Sequence, residues 1–336
     1  MRKLLGLQYL RGLAAVAVVL FHAAGRSGVN FHAGEAGVDL FFLLSGFLMV
    51  AISGPDTRPL AFLADRVRRI VPVYCIATSV MLAAALVGAF PNVRLEAGHV
   101  LASYLFVPWT SPSNGNVWPL LVPGWTLNFE MAFYLLFAAL LPLGGQVRQV
   151  AALTLLFAGF VVLRPLFDPA NALATFYTDP ILLEFAGGCW LGILWKRPGD
   201  WPRGLGWGSA LVALAAIGWV AFHAPQLPRA IGFGIPAALL LASILALERR
   251  SEIGEWRWPL FAGDASYSIY IWHTLAISVT VRIGWRFDLP PAPTIALGIM
   301  GGIAAGLVGY LLIERPILAW FRERRYIRGV PVPAGP

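Results

Sequence analysis

Six ionisable residues fall within apolar stretches of the 336-residue chain that are long enough to cross a membrane. They are Arg11, His22, Asp39, Glu130, Glu184 and His273. Ionisable side chains inside membrane-spanning segments are costly, so each of them indicates a functional site by default. The alternative is that they pair with one another and hold helices together.

The spacing of Arg11 and His22 places both residues on one helix face. Eleven residues are almost three helical turns, which separates them by about 16 Å along the axis. We predict that Asp39, Glu130 and Glu184 lie on neighbouring helices near the depth of His22. A neutral imidazole held by a carboxylate can remove a proton from a hydroxyl group. The cluster therefore predicts general base catalysis.

The sequence gives little support to a covalent mechanism. Ser45 is the only serine near this cluster in sequence, and a Ser-Gly pair in a membrane helix is typical of helix packing. Cys75 and Cys189 have no partner at the spacing of a metal site, so we expect no metal. Direct attack by a bound acceptor hydroxyl is favoured over an acyl-enzyme.

An arginine-rich segment from Arg66 to Tyr74 precedes the third predicted span. Arginine forks match phosphate oxygens in two-pronged hydrogen bonds, so Arg66 and Arg69 fit a phosphate-bearing donor such as acyl-CoA. The alternative is that these residues only set membrane topology or contact anionic lipids.

The composition indicates a polytopic membrane protein. Hydrophobic residues make up 58% of the chain and charged residues only 12%, about half of the usual charged fraction. This excludes a soluble enzyme, a disordered tail and a nucleic-acid-binding module, so we expect membrane lipids and no nucleic acid as partners.

An all-α fold of about ten transmembrane helices is predicted. A helix needs about 20 mainly apolar residues to cross the hydrocarbon core. The candidate spans are 5–24, 37–53, 70–90, 124–142, 147–164, 178–195, 204–222, 230–247, 264–284 and 293–313. The connection 91–123 holds an apolar stretch, 99–107, that is too short to span and is expected to be re-entrant or interfacial.

The distribution of basic residues predicts that both termini are cytoplasmic. Of the 25 Lys and Arg residues, 18 fall on the side of the N-terminus, six on the opposite side and one, Arg11, within the first span. We expect one membrane domain over 1–320 and a basic, proline-rich cytoplasmic tail over 321–336.

Six motifs in sequence order resemble the acyltransferase 3 family of bacterial inner-membrane O-acyltransferases. They are Arg11 with His22, the segment from Gly37 to Phe47, Arg66 to Tyr74, Trp125 to Tyr134, Ser266 to His273, and Glu314-Arg315-Pro316. Each motif alone is weak, but their order over residues 5–320 is specific. The opening Leu7 to Arg11 and the Asn128 to Met131 segment are similar to the exopolysaccharide-production branch.

The resemblance implies roles for individual residues. His22 would be the catalytic base, Glu130 a catalytic or acceptor-positioning carboxylate, and Asp39 a supporting carboxylate. Arg66 and Arg69 would bind the donor. Further substrate-binding positions are expected at Arg11, Trp125, Thr126, Asn128 and Tyr134. Glu184 and His273 are expected from their positions in the predicted spans and not from the resemblance, and the alternative for His273 is core packing. Arg11, Thr126 and Asn128 are alternatives for stabilising the negative oxygen of the tetrahedral intermediate.

The resemblance also implies the substrates. The donor would be cytoplasmic acyl-CoA, with acetyl-CoA preferred, acting as co-substrate without any permanently bound cofactor. The acceptor would be a hydroxyl of a surface polysaccharide or of its lipid-linked precursor, at the bacterial inner membrane. A different class of protein, a proton-coupled transporter or flippase for a glycan or lipid, is the alternative, although the chain shows no internal repeat.

Overall fold

A computed structural model describes residues 4–327, with side chains up to residue 324. All regular secondary structure within these residues is helical. The helices are α1 Leu5–Arg26, α2 Ala36–Ile52, α3 Pro59–Leu86, α4 Ala97–Tyr104, α5 Gly124–Leu140, α6 Gln146–Leu163, α7 Ala172–Tyr177, α8 Leu182–Lys196, α9 Trp207–His223, α10 Ile235–Arg249, α11 Arg257–Asp264, α12 Ser266–Arg286, α13 Pro291–Gly309 and α14 Arg315–Ile327. The all-α prediction is confirmed.

Seven helical stretches of the described chain are long and apolar enough to cross a membrane. They are Leu5–Arg26, His32–Ile52, Pro59–Leu86, Gly124–Leu143, Gln146–Leu166, Ala230–Arg249 and Pro291–Arg324. The other three predicted spans correspond to α8 and α9, which are shorter, and to α12, which carries several polar residues. Leu155, Val162 and Leu312 are exposed at 74%, 75% and 71%, as lipid-facing side chains would be.

Glycines allow the helices at the centre of the bundle to approach closely. A Cβ atom at Gly46 of α2 would lie 2.0 Å from the Phe185 carbonyl oxygen of α8, and one at Gly188 would lie 2.0 Å from the Leu43 oxygen. On α13, a Cβ atom at Gly306 would lie 2.3 Å from the Ile269 Cα atom of α12. Helices in lipid lack a hydrophobic driving force for association, so the van der Waals contacts that small residues allow stabilise the bundle instead.

Several helix boundaries differ from the predicted spans. Helix α3 begins at Pro59, a favoured first-turn residue, eleven residues before the predicted span, so Arg66 and Arg69 lie inside the helix. The 99–107 stretch contributes to the short helix α4 and does not span. Helix α14 runs across the expected boundary at 320, while residues 1–3 and the tail segment 328–336 lie outside the described residues.

Two π-helical turns interrupt the longer helices. The turn Ala230–Gly234 leads into α10, and the turn Tyr310–Glu314 joins α13 to α14. Such turns are rare and often occur at functional sites. Each one lies beside a buried carboxylate of the site described below.

Candidate active site

The main cavity of the bundle has a volume of about 850 Å³ and is rich in arginine. We call it the arginine cavity, and six arginines line it: Arg11, Arg58, Arg66, Arg68, Arg69 and Arg322. Its acidic wall residues are Asp65, Glu130, Asp264 and Glu314. This composition favours a ligand that carries several negative charges.

Glu130 is held in the arginine cavity by two hydroxyl groups. Its Oε1 atom accepts a hydrogen bond from Ser45 Oγ at 2.7 Å and another from the Tyr134 hydroxyl. The Arg66 guanidinium lies within electrostatic reach of both Glu130 and Tyr134. Ser45 is thus a polar partner of Glu130. The helix packing expected from the Ser-Gly pair involves the neighbouring Gly46, which contacts α8.

Glu314 is a buried carboxylate that the sequence reasoning did not select as a site residue. It ends the π-helical turn after α13, lines the arginine cavity and accepts a 2.6 Å hydrogen bond from Ser268 Oγ. Arg11 and Arg69 both act on it electrostatically. The motif Glu314-Arg315-Pro316 could have indicated a functional role for Glu314. The predicted span ends at residue 313, however, so Glu314 is not among the ionisable residues expected within spans.

Thr126 and Tyr270 lie in the wall of the arginine cavity nearest the histidines. Their hydroxyl groups are 2.8 Å apart, and Thr126 Oγ1 donates its hydrogen to the Pro123 carbonyl oxygen. Tyr270 must therefore be the donor to Thr126. The ring of Tyr270 also lies beside that of His273, with ring centroids 5.8 Å apart.

His22 and His273 form a hydrogen-bonded pair, which we call the histidine pair. His273 Nδ1 lies 2.6 Å from the Tyr270 carbonyl oxygen, which can only accept, so this nitrogen carries the hydrogen. His273 Nε2 is then an acceptor, 3.2 Å from His22 Nδ1. His22 Nδ1 also lies 3.0 Å from the Val18 oxygen and is therefore protonated. The free lone pair of His22 is left on Nε2.

The partner of His22 differs from our expectation. We predicted a carboxylate, but within the described residues His22 is hydrogen-bonded to His273 and to the Val18 carbonyl. Glu130 is bound to Ser45 and Tyr134 instead. The physical reason is helix rotation, because depth along the helices is readable from the sequence but the direction of each side chain is not.

Asp39 lies in an ion pair with Arg229, a residue from the loop before α10. The Arg229 Nη2 and Nε atoms donate to the two carboxylate oxygens at 2.7 and 3.1 Å. Arg229 also reaches Glu35, and Glu184 lies against Asp39. Burial alone would lower the pKa of Arg229, but the carboxylates of Asp39, Glu184 and Glu35 together outweigh it and raise that pKa above its ordinary value. Within the described residues no hydrogen bond joins this group to the histidine pair, but Glu35 lies within electrostatic reach of His22.

The remaining predicted residues are either packed among other side chains or line the arginine cavity, away from His22. Trp125 packs edge-on against the rings of Phe42 and Phe129. Asn128 is buried, and its Oδ1 atom has no hydrogen-bond partner among the residues that the structure describes. Arg11 lies about 16 Å along α1 from His22, so the two cannot contact the same carbonyl group. Arg66, Arg69, Thr126 and Tyr134 share the arginine cavity with Glu130.

A second cavity, of about 290 Å³, lies beyond the histidine pair on the same helices. We call it the Trp118 cavity after the residue of the α4–α5 loop that lines it. Arg26 and Thr274 also line it. Arg26 is one helical turn after His22, and Thr274 directly follows His273. Along α1 and α12, the histidine pair thus lies between residues that line one cavity and residues that line the other, although neither histidine lines a cavity itself.

Comparison with known proteins identifies a family. The model of the acyltransferase domain family matches residues 4–314. The exopolysaccharide production protein ExoZ of Rhizobium meliloti (strain 1021) is 44% identical over 318 residues, covering 93% of this chain and 98% of that protein. Acyltransferase MdmB of Streptomyces mycarofaciens is 26% identical, covering 90% of this chain and 85% of MdmB. Peptidoglycan O-acetyltransferase OatA of Listeria monocytogenes serovar 1/2a is 24% identical, covering 82% of this chain and 49% of OatA. No solved structure matches significantly.

Proposed function

Because the chain belongs to the acyltransferase 3 family, we propose that it moves an acyl group, in our assignment acetyl, from acyl-CoA to a saccharide hydroxyl. The match over residues 4–314 confirms the family that the six motifs indicated, and the chain is a membrane acyltransferase. ExoZ is named for exopolysaccharide production and OatA for peptidoglycan O-acetylation. These names support a surface polysaccharide, or its lipid-linked precursor, as the acceptor.

The position of the histidine pair along α1 and α12, between the residues that line the two cavities, carries this proposal. Along α1, Arg11 lines the arginine cavity and Arg26 lines the Trp118 cavity. Along α12, Tyr270 lines the arginine cavity and Thr274 lines the Trp118 cavity. A donor in the first cavity and an acceptor in the second would meet at the imidazole of His22. Two substrates that react directly need such a shared point.

The arginine cavity supports acyl-CoA as the donor. Coenzyme A carries several phosphate groups on a long arm that ends in the thioester. Arg66 and Arg69 would bind phosphate oxygens, and the arm would extend past Tyr270 toward the histidine pair. The volume of 850 Å³ lies within the range of about 300–1,000 Å³ that is usual for ligand cavities.

The protonation state of His22 suits a general base. The acceptor oxygen would attack the thioester carbonyl carbon while its proton moves to His22 Nε2. The C–S bond then breaks, and the sulfur of coenzyme A takes that proton. The products are an O-acyl saccharide and free coenzyme A, so atoms and charge balance. His273 would be a positioning residue, because its Nε2 accepts the Nδ1 hydrogen of the His22 imidazolium.

The orientation of the chain follows from the same proposal. We propose ten membrane crossings in the bacterial inner membrane, with both termini and the arginine cavity on the cytoplasmic side. Accessibility probes at residues 56 and 326 should then report the cytoplasm, and probes at residues 30 and 115 the opposite face. A cytoplasmic result at 115 would contradict this orientation.

Thioester cleavage tests the function directly. Membranes that contain the protein should release free thiol from acetyl-CoA when polysaccharide from the producing cells is added, and ester-linked acetyl should appear on the polysaccharide. The His22→Ala protein is the matched control and should release little thiol. Saccharide transport across sealed vesicles without thiol release would contradict acyl transfer and favour a transporter.

A further inference from the structure

The Trp118 cavity has a basic wall. Arg26, at the end of α1, and Arg282, on α12, both line it and lie within electrostatic reach of each other. None of the described residues that line the cavity is acidic, and neither arginine forms an ion pair with a described residue. Two cations that face one cavity without a carboxylate favour an anionic ligand.

Arg282 is held in place without losing its charge. Its Nη1 atom donates to the Ala89 carbonyl oxygen at 2.6 Å, and its guanidinium lies 5.7 Å from the centroid of the Phe90 ring. The other donor atoms of the guanidinium have no hydrogen-bond partner among the described residues. An arginine positioned in this way can contact an anion with little loss of side-chain entropy.

His99 lines the cavity and has one acceptor atom without a partner among the described residues. The residue is 1% exposed and lines the cavity beside Trp118. Its Nε2 atom lies 2.8 Å from the Trp118 carbonyl oxygen, so this nitrogen carries the hydrogen. The lone pair is therefore on Nδ1, which is buried and has no partner in the described chain. A buried acceptor of this kind is costly unless a ligand donor satisfies it.

We propose that the Trp118 cavity binds the acceptor and selects saccharides that carry an acidic group. This proposal rests on the proposed function, because it names the substrate class of the acceptor side of that site. Arg26 and Arg282 bind the acidic group, and His99 Nδ1 accepts a hydrogen bond from a sugar hydroxyl. The aromatic side chains of Trp118 and Phe90 also line the cavity and supply apolar surface for the sugar ring.

The position and size of the cavity support a single sugar residue as the bound part. Arg26 lies four residues after His22, about 6 Å along the helix axis. A hydroxyl on the sugar ring is then within reach of the histidine pair while the acidic group is held by the arginines. The volume of 290 Å³ lies just below the usual range of about 300–1,000 Å³ for ligand cavities, so the rest of a polysaccharide chain would lie outside the cavity.

A binding experiment without any acyl donor tests the proposal separately from the acyl transfer. The purified protein in zwitterionic lipid nanodiscs is titrated calorimetrically with three probes: a disaccharide containing a uronic acid, its uncharged methyl ester, and a glycosyl phosphate. We expect at least one acidic probe to bind tenfold or more tightly than the methyl ester. The two acidic probes distinguish a carboxylate on the sugar from the phosphate of a lipid-linked precursor.

Arginine variants locate the binding. Arg26→Gln and Arg282→Gln should each weaken the binding of the acidic probe about tenfold or more and leave the affinity for the methyl ester unchanged. Both arginines are exposed, so the variants should retain their fold. Arg286→Gln, also on α12 but outside the cavity lining, is the matched control and should bind normally. Equal affinity for acidic and uncharged probes, no binding of any probe, or the same loss in all three variants would overturn the proposal. Thiol release from acetyl-CoA would be unaffected by such a failure.

Discussion

The Nε2 atom of His273 lies 3.2 Å from the Nδ1 atom of His22, on two helices whose histidines are 251 residues apart in sequence. The Tyr270 carbonyl holds the hydrogen of His273 on Nδ1, which makes its Nε2 an acceptor. A neutral imidazole thus occupies the place where a carboxylate was expected. Such an arrangement fixes the tautomer of His22 without placing a permanent negative charge in the membrane.

The role of His273 can be tested with two side chains of similar length. His273→Gln keeps a carbonyl acceptor for the His22 Nδ1 hydrogen, whereas His273→Met does not. We expect the Met variant to lower kcat tenfold or more, which corresponds to about 1.4 kcal/mol of transition-state stabilisation, and the Gln variant to lose less. KM for acetyl-CoA should not change in either variant. Equal kcat values in the two proteins would contradict the positioning role.

Arg66 and Arg69 should affect the donor more than the acceptor. Replacing either with Gln removes a charge-assisted contact of about 1.5–3 kcal/mol and should raise KM for acyl-CoA roughly ten- to more than a hundredfold. Lys should rescue only in part, because an ammonium group cannot reproduce the two-pronged contact. Steady-state kinetics at matched protein abundance provide the check. Full activity in both the Lys and the Gln variants would leave these residues with a topological or lipid-binding role.

The buried pair of Asp39 and Arg229 should matter for stability. Arg229→Gln leaves a fully buried carboxylate without its cation, and breaking a buried ion pair costs about 3–5 kcal/mol. Arg164→Gln is the control, because its pair with Asp179 is about 40% exposed on both sides and should contribute about 1 kcal/mol or less. Thermal unfolding in detergent measures the difference. Similar losses for the two variants would contradict the structural importance of the buried pair.

Two adjacent glycines on α8 should respond oppositely to the same substitution. Gly188→Ala places a Cβ atom 2.0 Å from the Leu43 carbonyl oxygen, whereas at Gly187 the nearest atom is Leu43 Cδ2 at 3.4 Å. We expect Gly188→Ala to lower the free energy of unfolding by about 1–3 kcal/mol or more. Gly187→Ala should be neutral or stabilise the helix by up to about 1 kcal/mol. Unfolding curves of both variants decide whether α2 and α8 pack as described.

The sequence predicted what depends on local pattern. Composition and apolar length predicted an all-helical membrane protein, and the motif order predicted the family that the comparisons confirm. Glycine spacing could have predicted the contact of α2 with α8 as well. The short helix α4 also follows locally, because the stretch 99–107 is too short to span.

The sequence could not predict contacts that depend on helix rotation or on distant loops. Arg229 is 190 residues from Asp39 and lies just outside the predicted span 230–247. Glu314 follows the last apolar residue of its span, and a π-helical turn brings it into the cavity. His99 lies in the short helix α4, and no other residue at a helical spacing from it indicated a site. In each case the partner is selected by packing of the whole bundle.

The central claim is that the Nε2 lone pair of His22 removes the proton from the acceptor hydroxyl. The most direct measurement is kcat for acetyl transfer by the His22→Ala protein, with acetyl-CoA binding and thermal unfolding followed on the same preparation. The account predicts a folded, correctly inserted protein that binds acetyl-CoA normally and transfers acetyl about a hundredfold or more slowly. A folded His22→Ala protein that transfers acetyl at a near-normal rate would contradict it.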